Sequence, residues 1–219
     1  MPAIVVRRIA ATCSRCWTDD GVEGCHQLPA GAAVAPLIEI VDPDPSWTHR
    51  FSFLRDRLTE ALGPRALRID HVGSTAVPGL PAKDIVDVQV TVVSLSPALV
   101  GILTGAGFVH HPEIDDDLLI GEIDRRELRK LFFTEAPGSE RANIHLREMG
   151  RRNQRYALLF RDHLRADENA RDAYGTIKAA LARAFPDDLD RYYEVKDPVM
   201  DLIYRGAEHW ATVTGWSPS

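Results

Sequence analysis

RIDHVGSTAVPGLPAKDIVDVQVTVV, Arg68–Val93, reads as a strand, a Gly-Ser turn, a loop and a second strand. The second strand alternates strictly. Val86, Val88, Val90 and Val92 point one way, and Ile85, Asp87, Gln89 and Thr91 the other, because successive side chains of a strand leave on opposite faces. An acid and an amide therefore stand side by side opposite a valine stripe. A Gly-Ser turn followed by paired polar groups on a strand is a layout that can hold a nucleotide phosphate beside a metal ion.

Outward from this stretch, Pro36–Val41 predicts a strand, broken by Asp42-Pro-Asp-Pro. A helix is predicted over Ser46–Leu62, with Trp47, Phe51, Leu54, Leu58 and Leu62 at helical spacing and Gly63-Pro64 ending it. Strands are expected at Ala66–Val72 and Asp84–Val93, a helix from Pro97 to about Gly105, then strands at Phe108–His110, Leu118–Ile123, Glu127–Thr134 and Ala142–Glu148. The acidic run Glu113–Asp117 reads as a loop. From Arg151 the spacing of Tyr156, Leu159, Phe160, His163 and Leu164 is helical. Further helices are expected over Asn169–Phe185, from about Asp187, and from Asp197-Pro198 to about Thr212, with Asp197 as cap and proline at the first helical position. Strands first and helices last predict an α/β (α+β) domain over residues 36–212, a mixed sheet with a helical C-terminal segment at 151–212, rather than a doubly wound fold.

The chain has 219 residues and a net charge of −6. That balance argues against a protein that coats nucleic acid through its overall field, and no specific nucleic-acid site is expected. No apolar run reaches the roughly 20 residues needed to span a bilayer. Absence of a secretory h-region makes a cytoplasmic location the expectation. Residues 1–35 show no usable periodicity and are expected to form a weakly ordered extension. Cys13, Cys16, Cys25 and His26 lie within it as C-x2-C-x8-C-H. Such a set can be a zinc knuckle or incidental cysteines, and adjacent Cys25 and His26 fit a single tetrahedral ion poorly.

Gly73, lacking Cβ, lets its backbone approach a ligand, and Ser74 offers a hydroxyl and an N–H, so the pair can cradle phosphate oxygens; a plain turn accounts for them equally. Asp87 is more specific, because a buried carboxylate must be paired or metal-bound and magnesium takes one or two carboxylates plus substrate phosphates. Gln89 can add a carbonyl oxygen at the same point. His71 and Lys83 bracket the turn and loop as phosphate contacts, against ordinary packing and solvation. Arg129, Lys130, Arg147, Arg151, Arg152 and Arg155 form a basic cluster, read as a polyanion pocket or as a solvated face. His145, on one strand face with Asn143 and Arg147, is a ligand, a base or a hydrogen-bonded core residue. No Walker loop, G-x-S-x-G or H-E-x-x-H is present.

At these residues the chain resembles the GrpB-like family of the nucleotidyltransferase superfamily, also found as a domain joined to dephospho-CoA kinase. The likeness runs from about Ile38 to Trp210. It rests on HVGSTAVPGLPAKDIVDVQV (His71–Val90), RKLFF (Arg129–Phe133), NIHL (Asn143–Leu146), LLFRDHLRAD (Leu158–Asp167), Tyr193-Glu-Val-Lys196 and Trp210. The resemblance implies a nucleotidyltransferase-like fold. In active members the turn binds nucleotide phosphates, and a D-x-D strand with a third acid on a later strand holds two divalent ions. Gly73 and Ser74 match the turn and Asp87 the first acid. The second position is Gln89, and the later strand offers His145, with Glu148 just beyond.

Two functions follow. One is an enzyme that moves a nucleoside monophosphate from an NTP to an unknown acceptor. There Asp87 would hold Mg2+, Gly73, Ser74 and His71 the phosphates, and Lys83 or Lys130 would offset charge. The other is a noncatalytic nucleotide-binding or protein accessory module with a degenerate metal site, which Gln89 favours.

Overall fold

The computed structural model describes residues 37–119 and 123–218. The predicted N-terminal extension and its cysteine set lie outside them. Among the described residues five strands form one mixed sheet: β1 (Arg68–Val72), β2 (Val86–Val92), β3 (Val109–His110), β4 (Leu131–Thr134) and β5 (Ala142–Glu148), in the order β1-β2-β5-β4-β3. Only β2 and β5 run parallel; the other neighbours are antiparallel.

The valine stripe decides which way the sheet faces its first layer. Val86, Val88, Val90 and Val92 are buried with Ile144 and Leu146 of β5. Over them lie α1 (Ser46–Leu62), through Trp47, Leu54, Leu58 and Leu62, and α2 (Pro97–Gly105), through Leu99 and Leu103. Asp44 Oδ1 accepts from the Ser46 N–H at 2.8 Å, satisfying one of the orphan donors at the start of α1.

The opposite, polar face is covered by α3 (Arg152–Ala166), and α4 (Glu168–Ala184) and α5 (Leu189–Thr214) pack on α3 in turn. Placed between sheet and helices, α3 buries both Leu158, Leu159 and Leu164 and the polar Asn153, Gln154 and Arg161. A second apolar cluster joins Leu159, Phe160 and Leu164 to Tyr174, Tyr204 and Ala207, and to Val77 and Leu80 of the loop before β2. Among the described residues no helix is long and apolar enough to cross a membrane.

Four predicted elements differ. Residues 37–41 form no strand: Val41 makes an isolated bridge to Ala82, and the Ile38 N–H donates to Pro186 O at 2.7 Å. Ile38 packs against Leu181, Ala182 and Tyr192, so the segment is held by helices rather than by a sheet edge. The strand expected over Leu118–Ile123 is absent at 118, 119 and 123; residues 120–122 lie outside the described residues. The chain there folds back instead, with the Asp117 N–H on Leu128 O and the Lys130 N–H on Asp115 O. That fold-back also shortens the Glu127–Thr134 strand to Leu131–Thr134 and leaves Arg125–Glu127 as a 3-10 turn capped by Asp124. Finally, α5 starts at Leu189, capped by Asp188, and runs through Pro198 without a break. Buried Tyr192 and Tyr204 on either side of the proline anchor the helix, and their packing outweighs the hydrogen bond that proline removes.

Candidate functional site

Gly73 leaves β1 with φ +70° and ψ −170°, a conformation open essentially to glycine. Its missing side chain makes room for Asp87: a Cβ at position 73 would stand 2.3 Å from Asp87 Oδ2. The turn and the acid are thus in direct contact, because the register of β1 on β2 pairs Val72 with Asp87. Register places Asn143 opposite Asp87 and His145 opposite Gln89 across the parallel pair. Asn143 Nδ2 donates to Asp87 Oδ1 at 2.9 Å, and His145 Nε2 stands 3.7 Å from the same oxygen.

Burial works against the charged form of Asp87, but the nearby His145 ring, the hydrogen bond from Asn143 and the charge of Lys83 outweigh it and hold its pKa below the ordinary carboxylate value. Burial, then the nearby Arg147, pushes His145 down to about 4 against the pull of Asp87, so at neutral pH an ionised acid faces a neutral imidazole.

The Asp87 side chain is partly open to solvent beside the turn, and Gln89 does not share that opening. It is 0 % exposed, its Nε2 donates to Gln154 O at 3.1 Å, and its Oε1 accepts from Arg147 at 2.7 Å. Arg147 also binds Asp117, which takes Lys130 at 2.7 Å and Asn153 at 3.0 Å. Lys130, one of the expected phosphate contacts, is therefore committed to a carboxylate. His71 pairs with Val88 and so lies on the valine face, away from the side chain of Asp87. There it stacks on Phe51 at 4.9 Å and bonds Thr75 Oγ1 at 3.0 Å, and burial pushes it down to about 4. Glu148, just past the third-acid strand, accepts from the Leu95 N–H and binds Arg151. The cluster of arginines splits likewise: Arg151 binds Glu127 and Arg155 binds Glu208.

Lys83 does belong to the opening. Its Nζ donates to the Tyr193 hydroxyl at 2.7 Å and lies 4.6 Å from the centre of that ring. Three neighbours escaped the sequence reading as site residues. Tyr174 on α4 is buried and meets Phe160 edge-on, with ring centres 5.6 Å apart. Lys178, one turn further on, donates to Pro81 O and sits 4.8 Å from the Tyr174 ring centre. Lys196 on α5 lies 5.1 Å from the Tyr193 ring centre and pairs with Asp197 at 2.8 Å. These groups are distant from Asp87 in sequence, and only the Tyr193-Glu-Val-Lys196 match pointed toward them.

The donor set does not fit a metal pair. Among the described residues no group of three or more His, Cys, Asp or Glu is placed to hold a metal ion. Asp87 is the carboxylate that lies against Gly73, and the amide oxygen of Gln89 is already held by Arg147.

A mixed sheet whose first strand turns through Gly-Ser onto an acid of its neighbour, with helices on both faces, defines an α/β protein. The family described as GrpB protein matches residues 37–205, and the chain belongs to it. It is 36% identical to a dephospho-CoA kinase of Mycolicibacterium paratuberculosis, over 99% of this chain and 56% of that protein. It is 33% identical to UPF0157 protein SCO7215 of Streptomyces coelicolor, over 79% of this chain and 86% of that one. The crystal structure of the conserved protein GrpB from Enterococcus faecalis superposes with a TM-score of 0.65 at 26% identity, covering 78% of this chain and 99% of that one. The chain spans about half the length of the kinases it matches.

Proposed function

We propose that this chain is a nucleotide-binding module of nucleotidyltransferase fold that does not transfer a nucleoside monophosphate. The observation carrying this reading is Gln89. It occupies the second metal-ligand position, is wholly buried, and has both ends of its amide engaged by protein. Losing that carboxylate removes a charged ligand from a hard cation, and the strand opposite supplies an amide and an imidazole instead of a third acid. What survives is the phosphate-facing half: the Gly73–Ser74 turn, the Asp87 carboxylate and the Lys83 ammonium. A single carboxylate holds magnesium weakly, so binding of the ligand does not require the ion. The relatives named dephospho-CoA kinase make such a kinase the protein partner to test first.

Calorimetric titration with each NTP, with and without Mg2+, followed by mass spectrometry of the mixture, tests the reading. Binding with little magnesium dependence and no new product is expected. Magnesium-dependent NTP consumption that disappears in Asp87→Ala would overturn it in favour of a transferase. Gln89→Asp is expected to create no turnover, because the new carboxylate would lie against Arg147 and be neutralised there.

A further inference from the structure

A buried ammonium group, Lys178, and a half-buried one, Lys83, stand near Asp87 without ion pairs. Lys178 is 3% exposed, and its recorded partner is the Pro81 carbonyl. Lys83 has the Tyr193 hydroxyl. Lys130 and Lys196 each have a carboxylate, whereas among the described residues no carboxylate lies within ion-pairing distance of Lys83 or Lys178. Buried charges are ordinarily paired, because desolvating an isolated ion is costly. The three lysines come from three separate elements: Lys83 from the loop before β2, Lys178 from α4 and Lys196 from α5. Tyr174 and Tyr193 hold them through ring faces and, at Lys83, a hydroxyl.

We propose that Lys83 and Lys178, supported by Lys196, bind the phosphate chain of the ligand and supply the positive charge that a metal pair supplies in two-metal transferases. The assignment rests on the nucleotide-binding reading only for what carries the phosphates. Its chemistry is that of an anionic polyphosphate, free or attached to a nucleoside.

A linked property follows. The groups that act on the pair are Asp87 on β2, Arg141 before β5, and Lys196 and Asp197 on α5. Burial, then repulsion from Lys196, pushes Lys178 down to about 7 and Lys83 to about 8, with Asp87 opposing both. A bound anion reverses the repulsion and favours the charged lysines. Binding therefore draws protons onto the pair near pH 8, and affinity falls as the pH rises past these values.

The test is calorimetry of the full chain with inorganic triphosphate in magnesium-free buffer, repeated with ATP and with adenosine. Buffers of different ionisation enthalpy report protons taken up. Triphosphate and ATP are expected to bind with proton uptake and adenosine to bind far more weakly. Lys178→Met and Lys83→Met should each weaken triphosphate binding by about tenfold, the loss typical of a charge-assisted hydrogen bond. Arg125→Gln, at an exposed and already paired arginine, should leave it unchanged. Thermal melts show whether the variants fold, and Lys178→Met should melt higher than the parent without ligand. Should either variant fail to fold, the loss in Lys196→Met decides. Triphosphate affinity unmoved in the folded lysine variants overturns the lysine assignment while NTP binding keeps the nucleotide reading. Lysine-dependent triphosphate binding with no NTP binding does the reverse. Binding of neither overturns both.

Discussion

At position 73 a single missing methyl group brings the turn and the acid together. The φ of +70° excludes most side chains, and Asp87 fills the space that a Cβ would need. Gly73→Ala should therefore lower stability by about 3 kcal/mol in denaturant unfolding, combining backbone strain with overlap on a carboxylate. A loss below about 0.5 kcal/mol, the range of an ordinary surface substitution, would show that the turn relaxes and that the contact is not needed. Gly73, Ser74 and Asp87 were legible in the sequence because a turn signal and a period of two place them without reference to any other element. The roles of His71 and Lys130 were not. The same period that aims Asp87 into the opening aims His71 at Phe51, and the partner that holds Lys130 sits in a loop 13 residues away. Polar residues read alike whether they face a ligand or a buried counter-charge.

At the scale of the element, α5 shows how packing outweighs a local rule. Asp197-Pro198 has the sequence of a helix start, yet the helix begins at Leu189 and continues to Thr214. Proline at 198 removes the N–H that would bond the Glu194 carbonyl and crowds that carbonyl. Pro198→Ala should restore the bond and raise the melting temperature, by about 1–3 kcal/mol of added stability. A lower melting temperature would mean that the bend imposed by proline is required for Tyr192 and Tyr204 to reach their buried positions. Helix α1 behaves oppositely: Ser46–Leu62 is the span that its apolar spacing predicts, since its start, its stripe and its Gly63 stop agree. The shortened β4 has a different cause. Alternation extends back to Glu127, but the backbone groups of Leu128 and Lys130 are taken by the acidic loop.

Over the whole molecule, the two faces of one sheet do different work. The valine face joins α1 and α2 in an apolar core. The other face is polar, and α3 closes it over a network in which Asp117 joins Lys130, Arg147 and Asn153, so that loop, β5 and α3 are tied at one carboxylate. Burial opposes the charge of Asp117, but Arg147 and Lys130 hold its pKa far below the ordinary range. Asp117→Asn should cost about 3–5 kcal/mol at neutral pH, because two buried cations lose their counter-charge. An acid with a depressed native pKa contributes stability that is present above its unfolded value of about 4 and is lost as the pH falls through that range toward the native one. The deficit of the variant, followed by denaturant unfolding, should therefore narrow below about pH 4. A deficit independent of pH would assign the loss to packing alone. Chain order and periodicity by themselves determined the mixed sheet with its late helices, the valine core and the face that Asp87 takes, because each follows from repeats only a few residues long. Tertiary structure alone decided that Gln89 is locked away, that His71 and Lys130 serve the fold, and that Lys178 and Lys196 join Lys83. Those outcomes depend on which distant side chain supplies the compensating charge or hydrogen bond, and no local pattern encodes that.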